Sequence, residues 1–255
     1  MAELKPCPFD LRCGDCLELM KEIPDESVDM VLCDLPYGTT RCRWDVQIPL
    51  EKLWEQYNRI VKENGAIVLF AAEPFASYLR ISNIKNFKYD WVWDKVKGTG
   101  FLNANKQPLR GHEMVCVFYR KQCDYNPQKT HGHKRKVSLA KHKEGCRATE
   151  NYGKHGLSSY DSTERYPRSI LKVSADTQKC ALHPTQKPVF LLEYMIRTYT
   201  KEGDTVLDNC MGSGSTGVAC VNAERNFIGM ELDPAYFEIA RNRIEEAWNR
   251  RAGDT

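Results

Sequence analysis

Long apolar runs are missing from this 255-residue sequence: the longest, Ala66 to Ala72, is far shorter than the roughly 18 residues a membrane span requires. The segment before Pro8 lacks the apolar core of a secretory signal, and a cytoplasmic location is expected. Internal repeats and low-complexity tracts are absent too, which excludes solenoids and arrays. Eleven cysteines are present, but an odd number in a long chain without an export signal reads as free thiols rather than a disulfide framework. Cys7, Cys13 and Cys16 contain a single C-x2-C pair with no second pair at the usual spacing, so no metal site is expected.

What is there describes a folded protein. A content of 42% hydrophobic and 28% charged residues is ordinary for a globular chain. The net charge of +3 conceals an asymmetry: residues 120–182 hold 14 Lys and Arg against 6 Asp and Glu, and the remainder holds 23 against 28. His131, His133, His142 and His155 fall in that basic segment, with Tyr125, Tyr152, Tyr160 and Tyr166. Such a segment suits a polyanion, because Lys and Arg that neutralise phosphates release condensed counterions. A solvated basic loop would look the same in isolation.

On either side of it, strands and helices alternate. Val28 to Cys33 reads as a strand running into the turn Asp34-Leu35-Pro36-Tyr37-Gly38. Leu50, Leu53, Trp54, Tyr57, Ile60 and Val61 recur at helical spacing, and Asn64-Gly65 reads as a stop before a strand from Ala66 to Ala71. Tyr89 to Trp93 and Met114 to Tyr119 are further strands, with a loop from Lys97 to Gly111 between them. Beyond the basic segment, Pro188 opens a helix with the stripe Leu191, Leu192, Met195, Ile196 and Tyr199. Thr205 to Asp208 is a strand, Met211 to Ser215 a Gly-rich loop, Thr216 to Ala223 a helix and Asn226 to Glu231 a strand. Asp233 and Pro234 begin a last helix with Phe237, Ala240, Ile244 and Trp248 along one face. This alternation predicts an α/β fold whose mainly parallel sheet is covered on both sides.

Two motifs carry chemistry. Gly212-Ser213-Gly214-Ser215-Thr216-Gly217 matches G-x-G-x-x-G between a strand and a helix, and Glu231 ends the next strand, where a carboxylate accepts hydrogen bonds from ribose hydroxyls. A nucleoside-containing cofactor is implied, and this fingerprint leaves NAD and S-adenosylmethionine both open. The second motif, Asp34-Leu35-Pro36-Tyr37, sits where open α/β sheets place their active sites. A carboxylate and a backbone carbonyl accepting the two hydrogens of a conjugated amine favour a more pyramidal nitrogen, and an adjacent ring offers a base a stacking surface. As a bland alternative, the turn is a Pro turn with Asp as its local cap.

Together with Gly14-Asp15 upstream, His183-Pro184-Thr185-Gln186-Lys187-Pro188 and Gly229-Met230-Glu231-Leu232-Asp233, these motifs resemble the D-P-P-Y amino-methyltransferases of DNA. The order is that of the permuted beta group, whose catalytic motif precedes its cofactor loop, and the resemblance covers nearly the whole chain. It implies a Rossmann-like S-adenosylmethionine-dependent methyltransferase fold, with residues 1–119 as the catalytic half, 120–182 as an inserted target-recognition region and 183–255 as the cofactor-binding half. Asp34 and the carbonyl of Leu35 are then the acceptors for the target amine, with Pro36 shaping the turn and Tyr37 as the stacking ring. Asp15 would meet the cofactor's adenine, Glu231 its ribose, and Asp208, Asn209, Cys210, Gly212, Ser213, Gly214 and Ser215 its sugar and methionine portion. Thr185, Gln186 and Lys187 would hold the methionine end, where a lysine suits a carboxylate. Asp15 has an alternative reading as a helix N-cap, Lys187 as a solvated charge and Glu231 as a surface acid.

Two departures from the family pattern stand out. Leu35 replaces the usual first proline but keeps the carbonyl, and Asn209-Cys210 stands where the family often has Pro-Phe, removing an aromatic contact with the cofactor. The expected activity is methylation of adenine N6 in duplex DNA by base flipping, without a metal; Asp rather than Ser at position 34 follows the adenine habit of the family. N4-cytosine methylation, a catalytically silent DNA-binding relative and a nicotinamide oxidoreductase are the alternatives. Lys134, Arg135 and Lys136 are the expected phosphate contacts; a homodimer and a cognate restriction endonuclease are candidate partners beside duplex DNA.

Overall fold

The computed structural model describes residues 8–38, 46–139, 148–149, 153–154, 159–174 and 186–253. Two compact units emerge: one of residues 1–126 and 169–255, the other Pro127–Arg168. The second is narrower than the basic segment of 120–182 read from the sequence, because Ile170–Lys172 joins the main sheet and residues 120–126 stay with the first unit.

In the first unit the strands are β1 (Phe9–Cys13), β2 (Val28–Asp34), β3 (Val61–Ala71), β4 (Phe87–Thr99), β5 (Arg110–Phe118), β10 (Ile170–Lys172), β11 (Thr205–Asp208) and β12 (Asn226–Glu231). They form one eight-stranded sheet in the order β1-β12-β11-β2-β3-β5-β4-β10. Only β5 runs antiparallel to its neighbours. The helices are α1 (Cys16–Leu19), α2 (Leu50–Ile60), α3 (Phe75–Ser82), α4 (Val189–Tyr199), α5 (Ser215–Ala223) and α6 (Pro234–Gly253).

Period-two alternation along β2 explains why helices cover both faces. Met30 and Leu32 enter the core shared with Leu192 and Met195 of α4, Ala219 of α5 and Ile244 of α6. Val31 and Cys33 face the other way, into the core shared with Leu53 and Tyr57 of α2 and Phe75 and Leu79 of α3. Asp233 caps α6 as expected, its Oδ1 accepting the amide of Ala235 at 2.8 Å. No helix among the described residues is long and apolar enough to cross a membrane.

The predicted stop at Asn64-Gly65 is instead part of β3, which begins at Val61. A Cβ on Gly65 would lie 2.8 Å from the Asp29 carbonyl oxygen, and the β2–β3 register shifts between Val28 and Met30, so this glycine serves close strand approach at an irregularity rather than a turn. The expected loop of 97–111 is shorter than predicted, since β4 runs to Thr99 and β5 begins at Arg110.

The second unit is built from short antiparallel pairs: β6 (Lys136–Ser138) with β9 (Tyr160–Ser162), and β7 (Ala148–Thr149) with β8 (Gly153–Lys154). Ion pairs brace it, with Lys129 Nζ 2.9 Å from Glu164 and Arg135 Nη2 2.6 Å from Asp161.

Gly217 seats α5 against α6, since a Cβ there would meet Ile244 Cδ1 at 2.3 Å and Phe227 Cε1 at 2.8 Å. Gly217→Ala is therefore expected to cost about 1–3 kcal/mol through overpacking, despite alanine's better helix propensity. Urea unfolding checks this: the midpoint falls at unchanged m, and an equal or higher midpoint would show that α6 can yield.

Candidate active site

β11 and β2 are neighbours at the centre of the sheet, and the connections that follow them lead to opposite sides: β11 through α5 to β12, and β2 through α2 to β3. Such a switch point opens a crevice at the carboxyl ends of the strands. Asp34 ends β2, Asp208 ends β11 and Glu231 ends β12, so three acids separated in sequence meet along one edge.

Asp34 is clamped at both oxygens. Tyr37 Oη donates to Oδ1 at 2.7 Å and Lys187 Nζ donates to Oδ2 at 2.5 Å. Lys187 also approaches Glu113 Oε2 at 3.3 Å, an ion pair without the alignment of a hydrogen bond, while Lys95 Nζ holds Glu113 Oε1 at 2.5 Å. The Lys187 ammonium further lies 5.2 Å from the ring centre of Phe70 and 5.9 Å from that of Trp93. Lys187, expected at a ligand's carboxylate, is thus buried among this protein's own acids.

Asp34, Glu113 and Lys187 do not respond alike. Burial raises the Asp34 carboxyl above the usual range, and the pull of Lys187 does not overcome it. Glu113 is also opposed by burial, but Lys187 and Lys95 together outweigh it and hold Glu113 below its usual range. Lys187 loses by burial and gains more from Asp34 and Glu113, so its ammonium is held raised. One lysine is shared by two carboxylates, and Asp34 has the less secure charge. Tyr37 is pushed well up, first by burial and then by Asp34, which keeps its hydroxyl a donor. Its ring stacks on Phe75, centres 5.1 Å apart at 25°. Leu35 is buried and Pro36 half-buried on the same turn.

The glycine loop faces this cluster across the switch point. Gly212 and Gly214 have φ of +53° and +78°, and a Cβ on Gly214 would lie 2.9 Å from Ala240 Cα, so conformation and space both require glycine there. Glu231 accepts the amides of Gly212 at Oε2 and Asp233 at Oε1, each at 2.9 Å. Burial nevertheless raises its pKa, and each oxygen keeps a lone pair for another donor. Asp208 is buried beneath the loop, accepting from Thr216 Oγ1 at 2.6 Å and the Cys210 amide at 3.1 Å; burial pushes its carboxyl up to about 6. Ser213 and Ser215 are buried and held by Arg243, whose Nη1 lies 2.9 Å from Ser213 Oγ. Asn209 Oδ1 accepts from Tyr57 Oη at 2.5 Å, and Asn209 Nδ2 lies 3.6 Å from Cys16 Sγ and 3.5 Å from Cys210 Sγ. Asp15 is the N-cap of α1, its Oδ1 accepting the Leu17 amide at 2.8 Å, and the neighbouring Gly14 amide donates to the Glu231 carbonyl. Gln186 has a shielded Oε1 with no partner among the described residues; Thr185 lies outside them, as do His142, Tyr152, His155, His183 and Pro184.

The family model for N6/N4 methyltransferases, described as DNA methylase, matches residues 28–242. The chain belongs to this family of DNA methylases. This methylase is 24% identical over 252 residues to the Type II methyltransferase M.HpaI of Haemophilus parainfluenzae, covering 94% of this chain and 75% of that one. It is 25% identical over 251 residues to the DNA adenine methyltransferase YhdJ of Escherichia coli K12, covering 92% and 82%. Among solved structures, the cytosine-N4-specific PvuII DNA methyltransferase matches with a TM-score of 0.65 at 18% identity, covering 95% of this chain and 92% of that one. The M1.HpyAVI–SAM complex matches at 0.64 with 24% identity, covering 92% and 98%. These structural likenesses establish the Rossmann-like methyltransferase fold that the sequence implied.

In the basic unit of the methylase, Lys134, Arg135 and Lys136 are all exposed, and Arg135 is in addition engaged by Asp161 through both oxygens, Nε to Oδ1 at 2.8 Å and Nη2 to Oδ2 at 2.6 Å. Lys95, Glu113 and Arg243 escaped the sequence reading, and Tyr57 enters it only as part of a helix's apolar stripe. Lys95 and Glu113 lie on neighbouring strands with no motif around them, and Arg243 looks like any helix-surface charge.

Because Lys187 is the cation that opposes the burial of Asp34, Lys187→Met should raise the Asp34 carboxyl further and move its titration to higher pH. Carboxyl 13C NMR of the variant reads this directly. An unmoved Asp34 titration in a folded Lys187→Met protein would remove the lysine from control of that charge.

Proposed function

We propose that this methylase transfers the methyl group of S-adenosylmethionine to N6 of adenine at a specific site in duplex DNA, with the target base extruded from the stack. The observation that carries this reading is the Asp34 carboxylate, clamped by Tyr37 and Lys187 at the switch point beside the glycine loop. Asp34 and the Leu35 carbonyl accept the two amine hydrogens, and Tyr37 and Pro36 flank the base. In a site shielded from water, an acceptor fixed before reaction stabilises the developing charge on nitrogen more than a mobile one does.

The residues present fit the cofactor. Glu231 has lone pairs to spare for a ribose, Gly212 and Gly214 clear the backbone of side chains, and Gln186 Oε1, shielded and without a partner among the described residues, can accept from a donor such as an ammonium. Gln186 and Thr185 would hold the amino-acid end, with the Lys187 ammonium engaged by Asp34 and Glu113 rather than by the cofactor, Asp15 and Glu231 the nucleoside, and Ser213 and Ser215 the loop surface between them. Asp208, Asn209 and Cys210 support that loop from below. Bound there, S-adenosylmethionine supplies an electrophilic sulfonium methyl. Lys134 and Lys136 contact phosphates; Arg135 serves the fold of its own unit through Asp161.

Asp at position 34, rather than Ser, supports adenine, as does the similarity to a relative named as a DNA adenine methyltransferase. Relatives named Type II methyltransferases support a cognate restriction endonuclease as a functional partner. Mass spectrometry of nucleosides from treated DNA tests the target: N6-methyladenine is expected, and N4-methylcytosine would overturn the choice of base.

Asp34→Asn should abolish most methyl transfer while leaving cofactor affinity within about tenfold, since it replaces a charged acceptor and adds competing donors. Tritium transfer and calorimetry measure the two effects, and near-wild-type turnover would remove Asp34 from the mechanism. Glu231→Ala should weaken cofactor binding by about 1.5–3 kcal/mol, the range for hydrogen bonds to a charged group. An unchanged calorimetric dissociation constant would contradict its place at the ribose.

A further inference from the structure

The two most exposed large apolar side chains among the described residues are adjacent: Phe101 at 77% and Leu102 at 84%. They occupy a single turn, Phe101–Asn103, at the tip of the β4–β5 hairpin. The tip is held rather than frayed. Thr99 pairs with Arg110 at its base, Gly100 turns the chain at φ +87°, and the amides of Asn103, Ala104 and Lys106 are bonded to the carbonyls of Gly100, Phe101 and Asn103. Residues 101–110 are all exposed and a Cβ on Gly100 would meet nothing within 4 Å, so the turn lies in solvent.

The place of this hairpin is as informative as its tip. Its strands rise from Trp93 and Glu113, cross-strand partners in the cluster that holds Lys187 and Asp34. At about 3.4 Å per strand residue, the base of the tip at Arg110 is about 10 Å beyond Glu113. From Lys95 to His112 the chain contains no Asp or Glu and carries Lys95, Lys97, Lys106 and Arg110 with Asn103, Asn105 and Gln107. Lys95 is committed to Glu113, while Lys106 and Arg110 are exposed beside the apolar pair.

We propose that this hairpin is a DNA wedge: Phe101 and Leu102 enter the duplex next to the target base pair and occupy the stack while the base is held at Asp34. Exposed apolar side chains cost free energy in water, and insertion between base steps returns it while the cationic flanks meet phosphates. An acid-free rim is complementary to a polyanion, and the adjacent catalytic edge of a DNA methylase specifies duplex DNA as that polyanion.

The proposal rests on base extrusion, and its test separates the two. A site first located by sequencing methylated phage DNA is made as a duplex with 2-aminopurine at the target position, and emission is read with S-adenosylhomocysteine present. The wild type should brighten on binding, and F101A/L102A should not. Transfer to the unmodified duplex should fall about tenfold to a hundredfold in kcat/KM, with cofactor affinity unchanged, because the lost insertion no longer offsets unstacking. An abasic residue opposite the target lowers the cost of extrusion and should restore most of the rate in the double variant. No brightening by the wild type would overturn extrusion itself. Equal brightening and equal turnover in both proteins would overturn the wedge alone, as would a loss of rate that the abasic duplex does not rescue. Binding to phosphatidylglycerol vesicles lost in the variant, with DNA kinetics unchanged, would assign the tip to a membrane surface instead.

Discussion

The parallel pairing of β2 with β11, Val206 against Met30 and Leu207 against Val31, is the constraint on which the site depends. Both strands are buried, so slipping the register by one residue would turn every core side chain to the wrong face. The hydrophobic core therefore fixes the relative height of Asp34 and Asp208 as firmly as it fixes the sheet. Chemistry drawn from two distant parts of the sequence inherits its alignment from packing. The antiparallel strand β5 extends this arrangement, because its N-terminal end brings Glu113 to the same edge at which the parallel strands finish.

The row Tyr37, Asp34, Lys187, Glu113, Lys95 concentrates charge where water is scarce. Buried ion pairs of this kind contribute little net stability, since desolvation cancels much of their attraction. Their effect is on which group keeps its charge. Glu113 has two cations and keeps it firmly; Asp34 shares one and is left with its carboxyl raised. A carboxylate in that state is a strong acceptor, because the protein solvates it poorly and a bound amine improves its surroundings.

Much of this architecture was legible in the sequence. β11 and β12 came out at their observed bounds because short apolar runs there are framed by Gly203-Asp204, the glycine loop and Asp233. The stripe of α4 was equally plain, since Leu191, Leu192, Met195, Ile196 and Tyr199 all face one core. α3 was not, for Tyr78 and Ile81 lie exposed and blur its apolar face. The glycines, Asp34 and Glu231 announced themselves by motif. Lys187 was found by motif as well, but its attachment to Asp34 and Glu113 arises from tertiary neighbours that no local spacing encodes. The same holds for the wedge hairpin, whose Phe101 and Leu102 read as ordinary loop residues until their exposure is seen.

Asn209 stands where the family often has proline, and its amide is built into the surrounding packing. Its amide takes the hydroxyl of Tyr57 from α2 and reaches the thiols of Cys16 and Cys210, so the floor of the glycine loop is polar and tied to helices on the opposite side of the sheet from α5. The Tyr57 hydroxyl is buried and depends on that amide. Restoring proline here would strand the hydroxyl at a cost of about 1–3 kcal/mol and leave the packing cut to asparagine's shape. The side chain and its surroundings are mutually dependent: Tyr57, Cys16 and Cys210 are arranged about an asparagine amide, so another residue fits this floor only if its neighbours change with it.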